Sequence, residues 1–281
     1  MTVAFGGDPA IKSALRETLK AHAADGTLRF GATAWDGRSG TPLGVSTHGG
    51  DSSDYAARFG YPLALAGLLD PMTAHAGADR AVDATLAWVD RVAVGADLSP
   101  VPERIIDHLL DAMSADPLAV PYRAELRQLY RAEASGTPPG RRDWANLRDR
   151  IEQAAEAAPA GSDARTALTA CATACWPIAT SSSVLPTLFS VWIKDANRRP
   201  DPEFDEVMRA RAHAMLDGIY RETQPQRDAG QHPDIPALFR ASAPMMAAAF
   251  EAQLARANAR YCDRAQAVPD IVLTQLAAAG T

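Results

Sequence analysis

The sequence predicts a mainly α protein, an irregular helical bundle carrying one small N-terminal β-hairpin, and three observations support that prediction. Roughly a fifth of the 281 residues are Ala, the best helix former. Apolar residues recur at helical spacing through most of the chain. Pro, Gly and capping residues cut that pattern into short pieces, so no long coiled coil and no solenoid repeat is expected.

In chain order, Asp8 is an N-cap and Pro9 a first helical residue, and Ile11, Leu15 and Leu19 then share a face, which predicts a helix to about His22 closed by Gly26. Thr27–Trp35 and Pro42–Thr47 are short β-favouring runs on either side of Asp36-Gly37, the pattern of a hairpin. From Ser52 onward the pattern is helical. Val82, Leu86 and Val89 share one face between Arg80 and Val94, and Ile105, Ile106, Leu109, Leu110 and Met113 do so after Pro102. Further helices are expected at 142–157, 163–175, 184–195, 203–222, 245–265 and 269–279. Ser135-Gly136-Thr137-Pro138-Pro139-Gly140 reads as a linker, and a soft boundary there divides the chain into residues 1–135 and 141–281.

Composition removes several classes of function. A net charge of −6 gives no general positive field for phosphates, so no nucleic-acid partner is expected. No window reaches about 18 uninterrupted apolar residues and the N-terminus lacks a basic, then apolar leader, so neither a membrane span nor export is expected. Three cysteines, Cys171, Cys175 and Cys262, are an odd number in a chain with ample core, which suits a reducing compartment, the cytoplasm.

The segment richest in chemistry is Thr47-His48-Gly49-Gly50-Asp51-Ser52-Ser53-Asp54, where the expected hairpin runs into a helix. His48 is the side chain that titrates nearest neutrality, and Asp51 or Asp54 could orient it or share a metal with it. His48, Asp51 and Asp54 are therefore the candidate catalytic residues. The same residues have a plain structural use, because Asp and Ser are preferred N-caps. Spacing fixes no third ligand, so metal and cofactor stay unspecified.

The run Gly40-Thr41-Pro42-Leu43-Gly44-Val45-Ser46-Thr47-His48, with Tyr55, Phe59-Gly60-Tyr61-Pro62, Leu65, Leu68-Leu69-Asp70 and Val94-Gly95-Ala96-Asp97-Leu98-Ser99, resembles an uncharacterised family of Ala-rich bacterial and phage proteins. Phe5-Gly6 and Ile11-Lys12 extend the likeness, which covers roughly residues 3–100 and brings no established activity with it. That family's pattern carries two cysteines where this chain has Thr41 and Val45. The resemblance thus implies either a thiol chemistry this chain cannot repeat or two small buried positions that Thr and Val fill equally well. Thr41 retains a hydroxyl that could act as a nucleophile.

Other candidates have ordinary explanations beside the functional one. Cys171 and Cys175 share a helix face and could donate two ligands to a soft metal, or fill an Ala-rich interface. His108 with Asp107 and Asp111 reads as surface pairing on a helix. Arg123, Arg127 and Arg131 form a stripe, with Asn197-Arg198-Arg199 adding charge, that could hold an anion or lie solvated beside acidic neighbours. Gly6-Gly7-Asp8 lacks the residues of a phosphate loop and caps a helix instead. Two functions follow from this inventory. One is a cytoplasmic enzyme acting on a small polar molecule at the hairpin-to-helix segment. The other is a non-catalytic helical binding or assembly protein, with a small-molecule ligand or a second copy of the chain as partner.

Overall fold

The computed structural model describes residues 3–113, 116–198 and 200–279. Within them the chain is mainly helical and contains no β-strand; the expected hairpin is not formed, and its place is taken by a loop with isolated bridges of Gly40 to Leu28 and to Trp35. The turn itself is there: Asp36 accepts from the backbone N–H groups of Arg38 at 2.9 Å and Ser39 at 2.7 Å, and Gly37 takes a positive φ of 95°. The second arm fails because it begins Thr41-Pro42. Proline cannot donate to a ladder, and its fixed φ suits a first helical turn. Thr41 accepts the Gly44 N–H at 3.2 Å, and residues Pro42–Thr47 coil into a helix instead of pairing.

The helices in order are α1 (Pro9–Ala24), α2 (Pro42–Thr47), α3 (Ser52–Phe59), α4 (Leu63–Ala66), α5 (Leu69–His75), α6 (Ala81–Asp90) and α7 (Val101–Ala112). There follow α8 (Val120–Ala134), α9 (Arg141–Ala157), α10 (Asp163–Ala174), α11 (Val184–Asp195), α12 (Glu206–Glu222), α13 (Gln224–Asp228), α14 (Ile235–Ser242) and α15 (Pro244–Ala277). Asp8 caps α1 as its sequence predicts, accepting from Ala10 N–H at 2.8 Å. The two helices expected at 245–265 and 269–279 are one, because Pro269 is carried inside α15 at the cost of a single backbone donor.

The chain divides into two compact units, residues 1–195 with 264–281, and residues 196–263. The predicted linker at 135–140 falls inside the first of these, where α8 and α9 pack on each other. The end of α15 belongs to the same unit: Val268, Val272 and Leu276 recur at helical spacing and are fully buried. Arg80 meets Asp270 at 2.7 Å, and Arg104 donates to the Gln275 carbonyl at 3.1 Å. In the N-terminal part, Phe5, Tyr55, Phe59, Tyr61 and Trp88 form one buried aromatic cluster, with Tyr61 stacked on Trp88 at 5.3 Å. Gly60 ends α3 with φ 71°; a Cβ there would stand 2.1 Å from the Val3 carbonyl, so only glycine lets the N-terminal strip lie against this turn.

The second unit has its own core of Phe204, Ala212, Ile219, Phe239 and Ala247. Asp205 and Asp234 cap α12 and α14, and the buried carboxylate of Asp201 receives Arg256 at 2.9 Å. No helix among the described residues is long and apolar enough to cross a membrane.

Candidate functional site

The structure does not gather His48, Asp51 and Asp54 into a constellation. His48 ends α2 in the left-handed conformation, φ 54°, with its exposed imidazole 5.3 Å from the Trp35 ring. Trp35 in turn meets His22 edge-on at 5.8 Å, and His22 Nδ1 lies 2.7 Å from the Thr27 hydroxyl. Asp51 faces its own helix: one oxygen accepts from the Ser53 N–H at 2.8 Å and the Ser53 hydroxyl at 2.7 Å, bonds that hold the carboxyl below its ordinary range. Asp54 is exposed on the first turn of α3. Among the described residues neither carboxylate bonds to His48, and no group of three or more His, Cys, Asp or Glu stands in metal-binding proximity.

The other candidates are spent on packing. Cys171 and Cys175 are buried free thiols; Cys175 donates to the Trp144 carbonyl at 3.4 Å, and burial pushes its pKa up to about 12. Asp107 and Asp111 on α7 receive Arg127 at 2.8 Å and Arg123 at 3.3 Å from α8, so two members of the arginine stripe fasten a helix pair, while His108 faces solvent. Arg199 lies outside the described residues.

A different acid marks the site. Asp70, on the first turn of α5, reaches back 27 residues to α2, where its Oδ1 accepts the Leu43 N–H at 2.8 Å. The Thr41 hydroxyl, which donates to the Ala34 carbonyl at 3.4 Å, lines the same cavity, and Thr41 is only 3% exposed. Burial pushes the Asp70 pKa above the ordinary carboxylate value, an effect offset in part by the Thr41 hydroxyl and then the Leu43 N–H. Both side chains line a cavity of about 270 Å³ between the loop that replaces the hairpin, α2 and α5, where Phe30, Pro42 and Ala74 supply apolar walls and Thr73 a further hydroxyl. Behind it lies the aromatic cluster: the Tyr55 hydroxyl accepts from Trp88 Nε1 at 3.0 Å, and its pKa is raised by burial, with the Asp70 charge adding to the shift.

The cavity is lined by none of residues 47–55, the hairpin-to-helix segment expected to hold a site; the polar residues that furnish it are Thr41, Asp70 and Thr73. The signal for Asp70 was present: it is the one acid in Leu65-Ala66-Gly67-Leu68-Leu69-Asp70-Pro71-Met72, an apolar run. An acid inside such a run must find a partner or a function. Chemically, a carboxyl whose pKa is raised keeps its proton to higher pH and can both give and take it, and a hydroxyl in the same cavity wall presents a second reactive oxygen. Compared with known protein families, with curated proteins and with solved structures, the chain matches none.

Proposed function

We propose that this chain acts on a small polar molecule in the Thr41–Asp70 cavity, with Asp70 as general acid and base and Thr41 as the hydroxyl that orients or receives the reacting group. The observation that carries this reading is a half-buried carboxylate that accepts a backbone N–H and, beside a buried hydroxyl, lines a cavity. At about 270 Å³ the cavity lies just below the roughly 300 Å³ at which drug-sized pockets begin, which suits a molecule of few atoms. An ionised carboxylate has about four lone-pair sites. The Leu43 N–H uses one, leaving room for donors on the ligand.

Residues that carry the resemblance to Ala-rich bacterial and phage proteins, Pro42, Asp70, Tyr55 and Tyr61, either line this cavity or build the cluster behind it, and Thr41, where the chain departs from that pattern, lines it too. That placement supports reading the first hundred residues as the functional part of the chain. A cytoplasmic setting fits, since the three cysteines are free thiols.

The second reading, a non-catalytic binding or assembly protein, is favoured by the use of Asp51 as a helix cap and of Asp70 as a tie between α2 and α5. One experiment separates the two. A mixture of small amides, carboxylic acids and polyols is screened against the protein by ligand-observed NMR, with Ala74→Phe as the variant that plugs the cavity from its exposed rim. Hits lost in Ala74→Phe and chemically converted by the wild type but not by Asp70→Asn support the enzyme. Hits lost in Ala74→Phe and never converted support binding alone, and hits retained in Ala74→Phe remove this cavity from either account.

A further inference from the structure

A second and larger cavity, about 460 Å³, lies in the groove where α10 faces α9 and the start of α11. Its helices run antiparallel with residues at i, i+4 and i+8 turned to it: Arg148, Glu152 and Glu156 from α9, Arg165, Thr169 and Thr173 from α10. Ala155, Ala172 and Val184 make an apolar floor. The groove is preformed at one end. The Arg148 guanidinium stacks 4.1 Å over the Trp176 ring and comes within 4.0 Å of Glu152. The loop that carries Trp176 is pinned by Glu133, whose two oxygens accept the Ile178 and Ala179 N–H groups at 3.2 Å each.

At the other end the charges are not used. Among the described residues Glu156 and Arg165 make no ion pair, with each other or with any neighbour, although they line one cleft from facing helices. Between them the wall accepts and does not donate. The Thr169 hydroxyl gives its proton to the Arg165 carbonyl at 2.7 Å and the Thr173 hydroxyl to the Thr169 carbonyl at 2.8 Å, so both oxygens offer lone pairs to the groove. A cation-binding carboxylate, hydroxyl acceptors, an anion-binding guanidinium and a small apolar floor are the complement of one chemical class.

We infer that this groove binds a free α-amino acid, its ammonium on Glu156 and the threonine oxygens and its carboxylate on Arg165. The carboxylate contact suits the bidentate geometry of a guanidinium, and the Ala and Val floor admits an aliphatic side chain. The site is separate from the Thr41–Asp70 cavity and does not depend on its function.

The test uses the full-length protein and the L-amino acids as probes, screened by saturation-transfer NMR, with titration calorimetry on those that bind. At least one is expected to bind, while its N-acetyl derivative and its amide, each lacking one charge, bind tenfold or more weakly. Arg165→Gln and Glu156→Gln, at half-buried and exposed positions that leave the core intact, are each expected to lower affinity at least tenfold, about 1.4 kcal/mol, since each removes the one charge that holds its end of the ligand. Ala74→Phe, which closes the other cavity, leaves this binding unchanged. The inference is overturned if no L-amino acid binds, if the acetylated and amidated derivatives bind as well as the parent, or if both variants keep wild-type affinity.

Discussion

Replacing Asp70 tests the site and the fold together, because the same carboxylate does both jobs. In Asp70→Ala the Leu43 N–H loses its acceptor in a partly buried place. A stranded donor costs about 1–3 kcal/mol, and the Thr41 hydroxyl keeps its bond to the Ala34 carbonyl at 3.4 Å, so a loss of roughly 1–3 kcal/mol is expected. Asp70→Asn keeps an oxygen for Leu43 and removes the buried charge, so near neutral pH it should cost less than about 1 kcal/mol. The pH dependence gives the sharper reading. Burial raises the Asp70 pKa in the folded state above its unfolded value. The folded protein then holds the proton over a range where the unfolded chain has released it, so stability falls as pH rises from the unfolded value through the folded one. Urea denaturation at pH 4, 6 and 8 should show wild type losing ground against Asp70→Asn as pH increases. A wild-type advantage that grows with pH would mean that hydrogen bonding outweighs desolvation, and would refute Asp70 as a proton carrier.

Three further outcomes are expected. With a thiol reagent at pH 8 only the exposed Cys262 should react in the native protein, and all three cysteines after denaturation, since Cys171 and Cys175 are buried and both have raised pKa values; rapid native reaction at two or more sites would contradict the packing. His48→Gly should be neutral or stabilising by up to about 1 kcal/mol in thermal melts, because glycine takes the left-handed conformation at 48 without strain, whereas His48→Val should be clearly destabilising. Asp201→Asn should destabilise the protein at pH 7 and much less in acid: the Arg256 contact holds the Asp201 pKa down, so its contribution is present above the unfolded value and disappears as pH falls through the folded one. Equal destabilisation at pH 7 and pH 3, read by urea denaturation, would show the ion pair to be incidental.

What the sequence disclosed and what it hid divide by range. Helix starts are local events, and Asp8-Pro9, Asp51-Ser52 and Ser162 could be read directly because the capping oxygen lies two or three residues from the N–H it accepts from. The hairpin was misread for a local reason too: Asp36-Gly37 is a true turn signal, but Thr41-Pro42 is a helix start, and the second outweighs the first once Gly44 and Thr41 bond. Asp70 stands out as the one acid in its apolar run, but its partner is not legible in the sequence, because the bond joins residues 43 and 70 and nothing in either neighbourhood specifies the other. His48 and Asp51, in contrast, are close in sequence yet apart in role, since Asp51 turns to its own helix. The partition of the chain was hidden in the same way as the partner of Asp70, because the end of α15 joins the first unit through Val268, Val272 and Leu276.

The arrangement at Asp70 also makes ligand binding and folding one equilibrium. One of its lone-pair sites holds α2 to α5, and a ligand donor that takes another strengthens the case for the ionised form, which burial otherwise disfavours. A bound donor therefore lowers the Asp70 pKa and stabilises the fold, by about 2.7 kcal/mol at a hundredfold excess over its dissociation constant. A ligand that accepts a hydrogen bond instead favours the protonated acid and raises the pKa. The direction in which a ligand moves the pH dependence of stability thus reports which end of the molecule faces Asp70, before any reaction is known. A ligand held only by the apolar walls of Phe30 and Pro42 raises stability equally at every pH, which distinguishes a filled cavity from an engaged acid.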